Sequence, residues 1–285
     1  MTRLNLCAVI LTGLGLFALP RAAQAAEGYD NCTGFITSLP VVISTQGTWC
    51  LKQDLATAIT SGKAIDIQTN NVTIDCNGYK IGGLAGGTSS NAYGIYADTR
   101  QNITVRNCGI RGYYFGINLI GSGGAGHLVE DNRLDNNLLE GIVVKGDNNT
   151  VRRNRVYDTG GHTPATGFDF GIGIDADANI IDNTVSGVFG NLTDSSNDGI
   201  IINGKGTEAR GNQVSGLTAA GSGNAVGILV NGLYDTARDN SLADTESTGG
   251  TGVFCNSAAL ATGNMIANFT TAMQSCNNGG GNASY

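Results

Sequence analysis

Histidine and proline are scarce in this chain, with two and three among 285 residues. His127 and His162, with no Cys-x-x-Cys pair anywhere, make a poor zinc-ligand set. Long apolar runs are missing too. Beyond residue 25, Gly, Asn and Asp interrupt every hydrophobic stretch well short of the roughly 20 residues that a membrane-spanning helix needs. Basic residues are few: 16 against 23 acidic, for a net charge of −7. An acidic surface argues against nucleic acid or anionic membrane as partners.

The one long apolar run lies at the start. Arg3 precedes the uncharged stretch Leu6 to Leu19, and Pro20 and Ala23-Gln24-Ala25 follow. This is the pattern of a secretory signal peptide over residues 1–25, cut after Ala25. Its removal takes away Arg3 and Arg21 and no acid, leaving 14 − 23 = −9. The expectation is an exported protein that is secreted, periplasmic or at the cell surface. Six cysteines remain, an even number that suits disulfides in such a compartment.

Glycine, by contrast, is abundant, at 44 residues, and Asn recurs throughout. The abundance has a period. Gly-aliphatic pairs fall at Gly94-Ile95, Gly116-Ile117, Gly141-Ile142, Gly171-Ile172, Gly199-Ile200, Gly227-Ile228 and Gly252-Val253, spaced 22, 25, 30, 28, 28 and 25 residues apart. A second anchor alternates with it, an aliphatic or Ala residue three before Asn: Val129–Asn132, Val151–Asn154, Ile180–Asn183, Ala209–Asn212, Ala237–Asn240 and Ala261–Asn264. Upstream, Cys108 takes the Asn place after Val105.

Each unit holds short stretches of alternating apolar residues, which put Ile142 and Val144, or Ile200 and Ile202, on one face. A unit this small cannot bury that face alone. Stacked units can, by pairing equivalent strands in parallel about 4.8 Å apart around a shared core. The predicted fold is an all-β, right-handed parallel β-helix of about nine coils over residues 64–276. Residues 26–63 are expected to cap its N-terminal end, and the Gly/Asn-rich residues 277–285 to form a disordered tail. The recurring Asn is expected in a left-handed turn conformation, its side chains bonded up the stack. The repeat also suggests disulfide partners. Cys76 and Cys108 sit near one turn on adjacent coils, and Cys276 lies about one coil after Cys255. Cys32 and Cys50 flank one segment ahead of the regular coils.

The Gly-Ile strands, the Asn turns and the opening Asn71-Val72-Thr73-Ile74-Asp75-Cys76-Asn77-Gly78 resemble right-handed parallel β-helix repeat proteins of the pectate-lyase-like superfamily. The resemblance spans about Ala64 to Met273. It implies the fold and leaves function open, because that superfamily includes polysaccharide lyases, polygalacturonases, uronate epimerases, phage tailspikes and surface proteins with no assigned activity. The catalytic signatures of these enzymes do not carry over. Only Asp198-Gly199 echoes the Asn-Thr-Asp-Gly of polygalacturonases, and their paired Asp, Gly-His-Gly and Arg-Ile-Lys are absent. The Asp-Pro-His-Asp of epimerases and the Arg-x-Pro-x-x-Arg of pectate lyases are absent as well.

Candidate chemistry then rests on position. Longer loops, at 82–93, 157–170, 186–198, 215–226 and 243–251, recur in the slot before the Gly-Ile strand and would wall a groove beside it. Lys145 and Asp175, expected one rung apart, could serve as base and charge stabiliser, with His162 nearby as acid or base. The blander account of the pair is a surface salt bridge worth under about 1 kcal/mol. Asp169, Asp175 and Asp177 could hold Ca²⁺, or could simply close a strand. Tyr96 and Tyr114 are the sugar-stacking candidates, whereas alternation points Tyr93, Phe115 and Phe170 inward. Two functions remain open. One is a monomeric exported protein that binds or processes extracellular polysaccharide by lyase or hydrolase chemistry. The other is a non-enzymatic surface scaffold.

Overall fold

The computed structural model describes residues 29–163, 170–190, 196–220, 223–244 and 249–285. The expected signal peptide and Asp169 lie outside these residues. The chain winds into a parallel β-solenoid with three faces. Every strand pairing is parallel, and each strand pairs with its equivalent one coil away, as Tyr93–Asp98 does with Phe115–Ile120. The first face and the second join into one sheet of nineteen strands, because Glu140–Arg152 and Ile172–Ile181 run through the corner between them. The third face is a separate sheet of ten strands, from Leu55–Ala56 to Ala283–Ser284.

The first face shows why the repeat is needed. Ile95, Ile117, Ile142, Ile174, Ile200, Ile228 and Val253 are in register and fully buried. Burying one such side chain stabilises by about 2 kcal/mol, and only the neighbouring coils make that burial possible. The glycine before each of them has its own cause. A Cβ on Gly94, Gly116, Gly141, Gly173, Gly199 or Gly227 would stand 2.4–2.7 Å from the next coil's carbonyl oxygen. The chain turns inward at this point, and in these coils the missing Cβ lets successive coils close to strand spacing, whereas the first coil of the column carries the small Ala64 in the same slot.

In the fourth coil of this series the aligned pair is Gly173-Ile174, not Gly171-Ile172, since Ile174 pairs with both Ile142 and Ile200. The expected register was therefore two residues early. Alternation cannot reveal such a slip, because it keeps every side chain on its face.

The Asn ladder forms, with one correction. Asn132, Asn154, Asn183, Asn212, Asn240 and Asn264 are buried, and each Nδ2 donates to the next Oδ1 at 2.9–3.0 Å, ending on Asn282. Cys108 begins the series, its amide donating to Asn132 Oδ1 at 3.0 Å. The left-handed residue, however, is the one before each ladder position: Asn107, Asp131, Arg153, Asp182, Gly211, Asp239 and Gly263, with φ between 53° and 68°. That residue makes the bend, and the Asn behind it is freed to point inward.

Both ends extend the solenoid. Gly34–Ile36 pairs with Gly47–Leu51, and Val41–Ile43 with Lys63–Ile67, so most of the region expected to be a cap is already wound into coils. Asn277–Asn278 pairs with Leu260–Thr262, and Ala283–Ser284 with Met265–Ala267. The expected disordered tail is therefore a last short coil. Its Gly/Asn content is that of a turn at Gly280 and Gly281 followed by the final ladder rung, Asn282. The disulfides are Cys32–Cys50, Cys76–Cys108 and Cys255–Cys276.

Candidate functional site

The first face turns three columns of side chains away from the core. The column before the glycine, or before Ala64 in its first coil, reads Lys63, Tyr93, Phe115, Glu140, Ile172, Asp198, Val226 and Thr251. The one after the buried Ile reads Asp66, Tyr96, Asn118, Val143, Asp175, Ile201, Leu229 and Phe254. At the strand ends stand Lys145, Asp177, Asn203, Asn231 and Asn256. Several of these outward residues are nonetheless buried, among them Asn118, Glu140, Val143, Ile172, Ile201 and Val226. The middle of the face is thus a sunken floor.

Three carboxylates share this floor. Glu140 and Asp198 occupy one column two coils apart, and Asp175 stands on the coil between them in the adjacent column. Burial pushes the Glu140 carboxyl up to about 8, with Asp175 adding to the rise and Lys145 opposing it. Burial, reinforced by Asp175, pushes Asp198 up to about 7. Asp175 is also raised, chiefly by burial, against the pull of Lys145. An acid that keeps its proton near neutrality can donate it, and a neighbour that has lost its own can accept one.

Lys145 and Asp175 do meet: Nζ lies 2.6 Å from Asp175 Oδ1 and 3.6 Å from Asp177 Oδ1. The two-residue register difference puts Asp175 opposite Val143, and the lysine side chain reaches back to it. Asn203 also donates to Asp175 Oδ1. From there Asn231 donates to Asn203 Oδ1 at 2.8 Å and Asn256 to Asn231 Oδ1 at 2.6 Å, an outer polar ladder. The lysine ammonium stands between Asp175 and Asp177, where a cation would sit if these residues held one. Among the described residues no group of three or more His, Cys, Asp or Glu is placed to hold a metal. A cleft of about 690 Å³ beside Lys145 and Asp177 is floored by the turn Gly121–Ala125.

The aromatic side chains correct one expectation. Tyr93 and Phe115 belong to the outward column, because the inward-facing glycine that follows each shifts the alternation by one residue. Their rings stack at 5.2 Å with 10° between planes. Tyr96 packs edge-on to Tyr93 at 5.2 Å, Tyr114 to Phe115 at 4.8 Å, and His162 to Tyr114 at 4.7 Å. The two sugar-stacking candidates are thereby joined in a continuous chain of five rings that borders Glu140, whose charge, after burial, helps raise the Tyr114 phenol. His162 is buried within this aromatic edge rather than against the Lys145–Asp175 pair. Thr88 and Thr163, from two of the longer loops, bond through their hydroxyls at 2.7 Å along the same edge.

The comparisons with known proteins agree with this architecture. The model of the right-handed β-helix region matches residues 57–214. The chain belongs to the right-handed β-helix family. No curated protein matches the sequence. Among solved structures, the β-helix is similar to a tailspike protein of E. coli bacteriophage HK620 in complex with a pentasaccharide, at 11% identity and a TM-score of 0.55, covering 81% of this chain and 53% of that one. It also matches alginate lyase from Paenibacillus sp. str. FPU-7, at 14% identity and a TM-score of 0.45, covering 81% of this chain and 92% of that one. A catalytic domain of a GH87 α-1,3-glucanase in complex with nigerose matches at 12% identity and a TM-score of 0.39, covering 88% of this chain and 63% of that one. The chain spans about half the length of the tailspike proteins it matches.

Glu140 and Asp198 as a site are absent from the candidates drawn from sequence, although Asp198-Gly199 echoes a polygalacturonase motif. The signal that finds them is simple. They are the acidic members of the column that immediately precedes each aligned Gly-aliphatic pair.

Proposed function

We propose that this protein acts on an extracellular polysaccharide as a glycoside hydrolase, using the carboxylates on the first face. The observation that carries the reading is the trio Glu140, Asp175 and Asp198 on three successive coils of one outward face, bordered by a chain of aromatic rings. Glu140 is the general acid. Its proton passes to the glycosidic oxygen as the bond from that oxygen to the anomeric carbon breaks. Asp198, ionised above about pH 7, takes a proton from the water that attacks the anomeric carbon. Two strand spacings set their backbones roughly 10 Å apart, nearer the carboxyl separation of about 6.5–9.5 Å in inverting enzymes than that of about 5 Å in retaining ones. Lys145 and Asn203 hold Asp175 beneath the reacting ring. The bound pentasaccharide of the structurally similar tailspike supports carbohydrate as the ligand class. Three disulfides support export to an oxidising compartment.

A polysaccharide panel tests this, with new reducing ends as the hydrolytic readout and absorbance of unsaturated uronates as the lyase readout, each with and without Ca²⁺. Hydrolysis of one polymer, independent of Ca²⁺ and reduced about 10²–10⁴-fold in Glu140→Gln, is expected. Uronate absorbance in place of reducing ends would overturn the mechanism. The competing scaffold reading draws on the apolar run Ile201, Leu229 and Phe254 along the same face. Absence of both turnover and binding, for every polymer, would leave that reading instead.

A further inference from the structure

At the junction between the ring chain and the acid trio, two buried atoms lack partners. Among the described residues, Asn118 Oδ1 and Glu140 Oε2 make no hydrogen bond, and the two residues are only 4% and 8% exposed. A buried acceptor without a donor is costly, so such atoms mark places where something else supplies one. Asn118 is the register partner of Tyr96 and shares its strand with Phe115. An acceptor flanked by two aromatic side chains suits a pyranose, whose apolar face packs on a ring while a hydroxyl donates.

The charge at this junction decides which pyranose. Among the described residues, the outward columns of the first face carry two cations, Lys63 and Lys145, and both are committed to carboxylates. Lys63 lies 3.6 Å from Asp66 and also 4.4 Å from the Tyr96 ring, and Lys145 lies between Asp175 and Asp177. Arg106, Arg152, Arg210 and Arg238 lie on the second face, in ion pairs with Asp75, Glu130 and Glu208. Among the described residues neither cation of these columns is left to receive a uronate carboxylate, and Asp175, Asp177 and Asp198 would repel one.

We infer that the site takes an uncharged glycan, with one sugar ring against Tyr96 and Phe115 and a hydroxyl of that sugar donating to Asn118 Oδ1. The inference rests on the carbohydrate reading proposed above and narrows it to neutral polymers. Tyr96 and Asn118 are specificity-determining residues, and they bind rather than react.

Affinity electrophoresis of the full chain tests it, through gels containing dextran, galactomannan, arabinoxylan or mixed-linkage β-glucan, and through matched gels containing polygalacturonate or alginate. Retardation by at least one neutral polymer and by neither uronate polymer is expected. Tyr96→Ala and Asn118→Ala are each expected to weaken that retardation at least about 10-fold without changing the melting temperature, and Tyr96→Phe to keep it. Preferential retardation by a uronate polymer, retardation by none, or indifference to both alanine variants would each overturn the inference. Retardation of the expected kind without new reducing ends would leave the inference standing and remove the hydrolase reading.

Discussion

Glu140 and Asp198 show how a solenoid raises two acids through neighbours that its own coils supply. Each sits on an outward column, yet neighbours crowd it enough to strip its water, and Asp175 between them adds like charge. The consequence for stability has a definite sign. The folded chain holds protons on these carboxyls that the unfolded chain releases near pH 4, so folding weakens as pH rises from there through about 7 and about 8. Denaturant titrations at pH 5 and pH 8.5 are expected to show the wild type less stable at the higher pH by a few kcal/mol, because each tenfold gain in proton affinity on folding is worth about 1.36 kcal/mol. Glu140→Gln/Asp198→Asn is expected to flatten the difference; an unchanged pH slope in this variant would mean that other groups carry it. The same pair sets the pH profile of the proposed reaction. A bell-shaped kcat/KM is expected with its maximum between about 7 and about 8, where Asp198 is ionised and Glu140 is not. At this scale the sequence was hard to read for a geometric reason. Alternation counted back from Ile95 or Ile117 turns Tyr93 and Phe115 inward, but Gly94 and Gly116 also face the core, and two successive inward residues reverse the phase. The column holding Glu140 was hidden by that reversal.

The strands and turns were far more legible, because a repeated element states its requirements once per coil. Spacing of Gly-Ile pairs and of Asn placed the strands and the ladder, and the aligned glycines follow from the close approach of a carbonyl on the next coil. What spacing could not resolve was a choice between equivalent anchors. Gly171-Ile172-Gly173-Ile174 offers two, and the two-residue slip between them preserves every face. The packed structure selects Gly173, whose missing Cβ leaves room for the Gly199 carbonyl and the Val185 side chain. The ladder is where an element-scale test is sharpest. Asn212 Nδ2 donates to Ile180 O and to Asn240 Oδ1, and its Oδ1 receives both the amide and the side chain of Asn183. Asn212→Ala therefore strands several buried groups at once and is expected to cost roughly 3 kcal/mol. Asn282→Ala, on the last and more exposed rung, is expected to cost less than half as much. Chemical denaturation of the two variants checks this, and equal losses would mean that the ladder gains nothing from burial.

For the molecule as a whole, the solenoid makes stability a sum over neighbours, and among the described residues the outermost coils, paired on one side, carry the weakest terms. The disulfides fall where that weakness is greatest. Cys32–Cys50 ties the first strand to its partner across 18 residues, and Cys255–Cys276 ties the last full coil to the final one across 21. Closing loops of this size removes about 3 kcal/mol of chain entropy from the unfolded state. The C-terminal coil needs it, since Asn277–Asn278 and Ala283–Ser284 contribute two residues each to their sheets and bury little apolar surface. A Cys255→Ser/Cys276→Ser chain is then expected to lose hydrogen-exchange protection in residues 265–285 while the coils between Tyr93 and Val230 keep theirs. The candidate site lies wholly in those middle coils, so binding of any glycan ligand should survive the change. Loss of protection spread evenly along the chain would show that the solenoid unfolds as one cooperative block. In that case the terminal staple would act on the site as well, and the separation of a reinforced end from a functional middle would not hold.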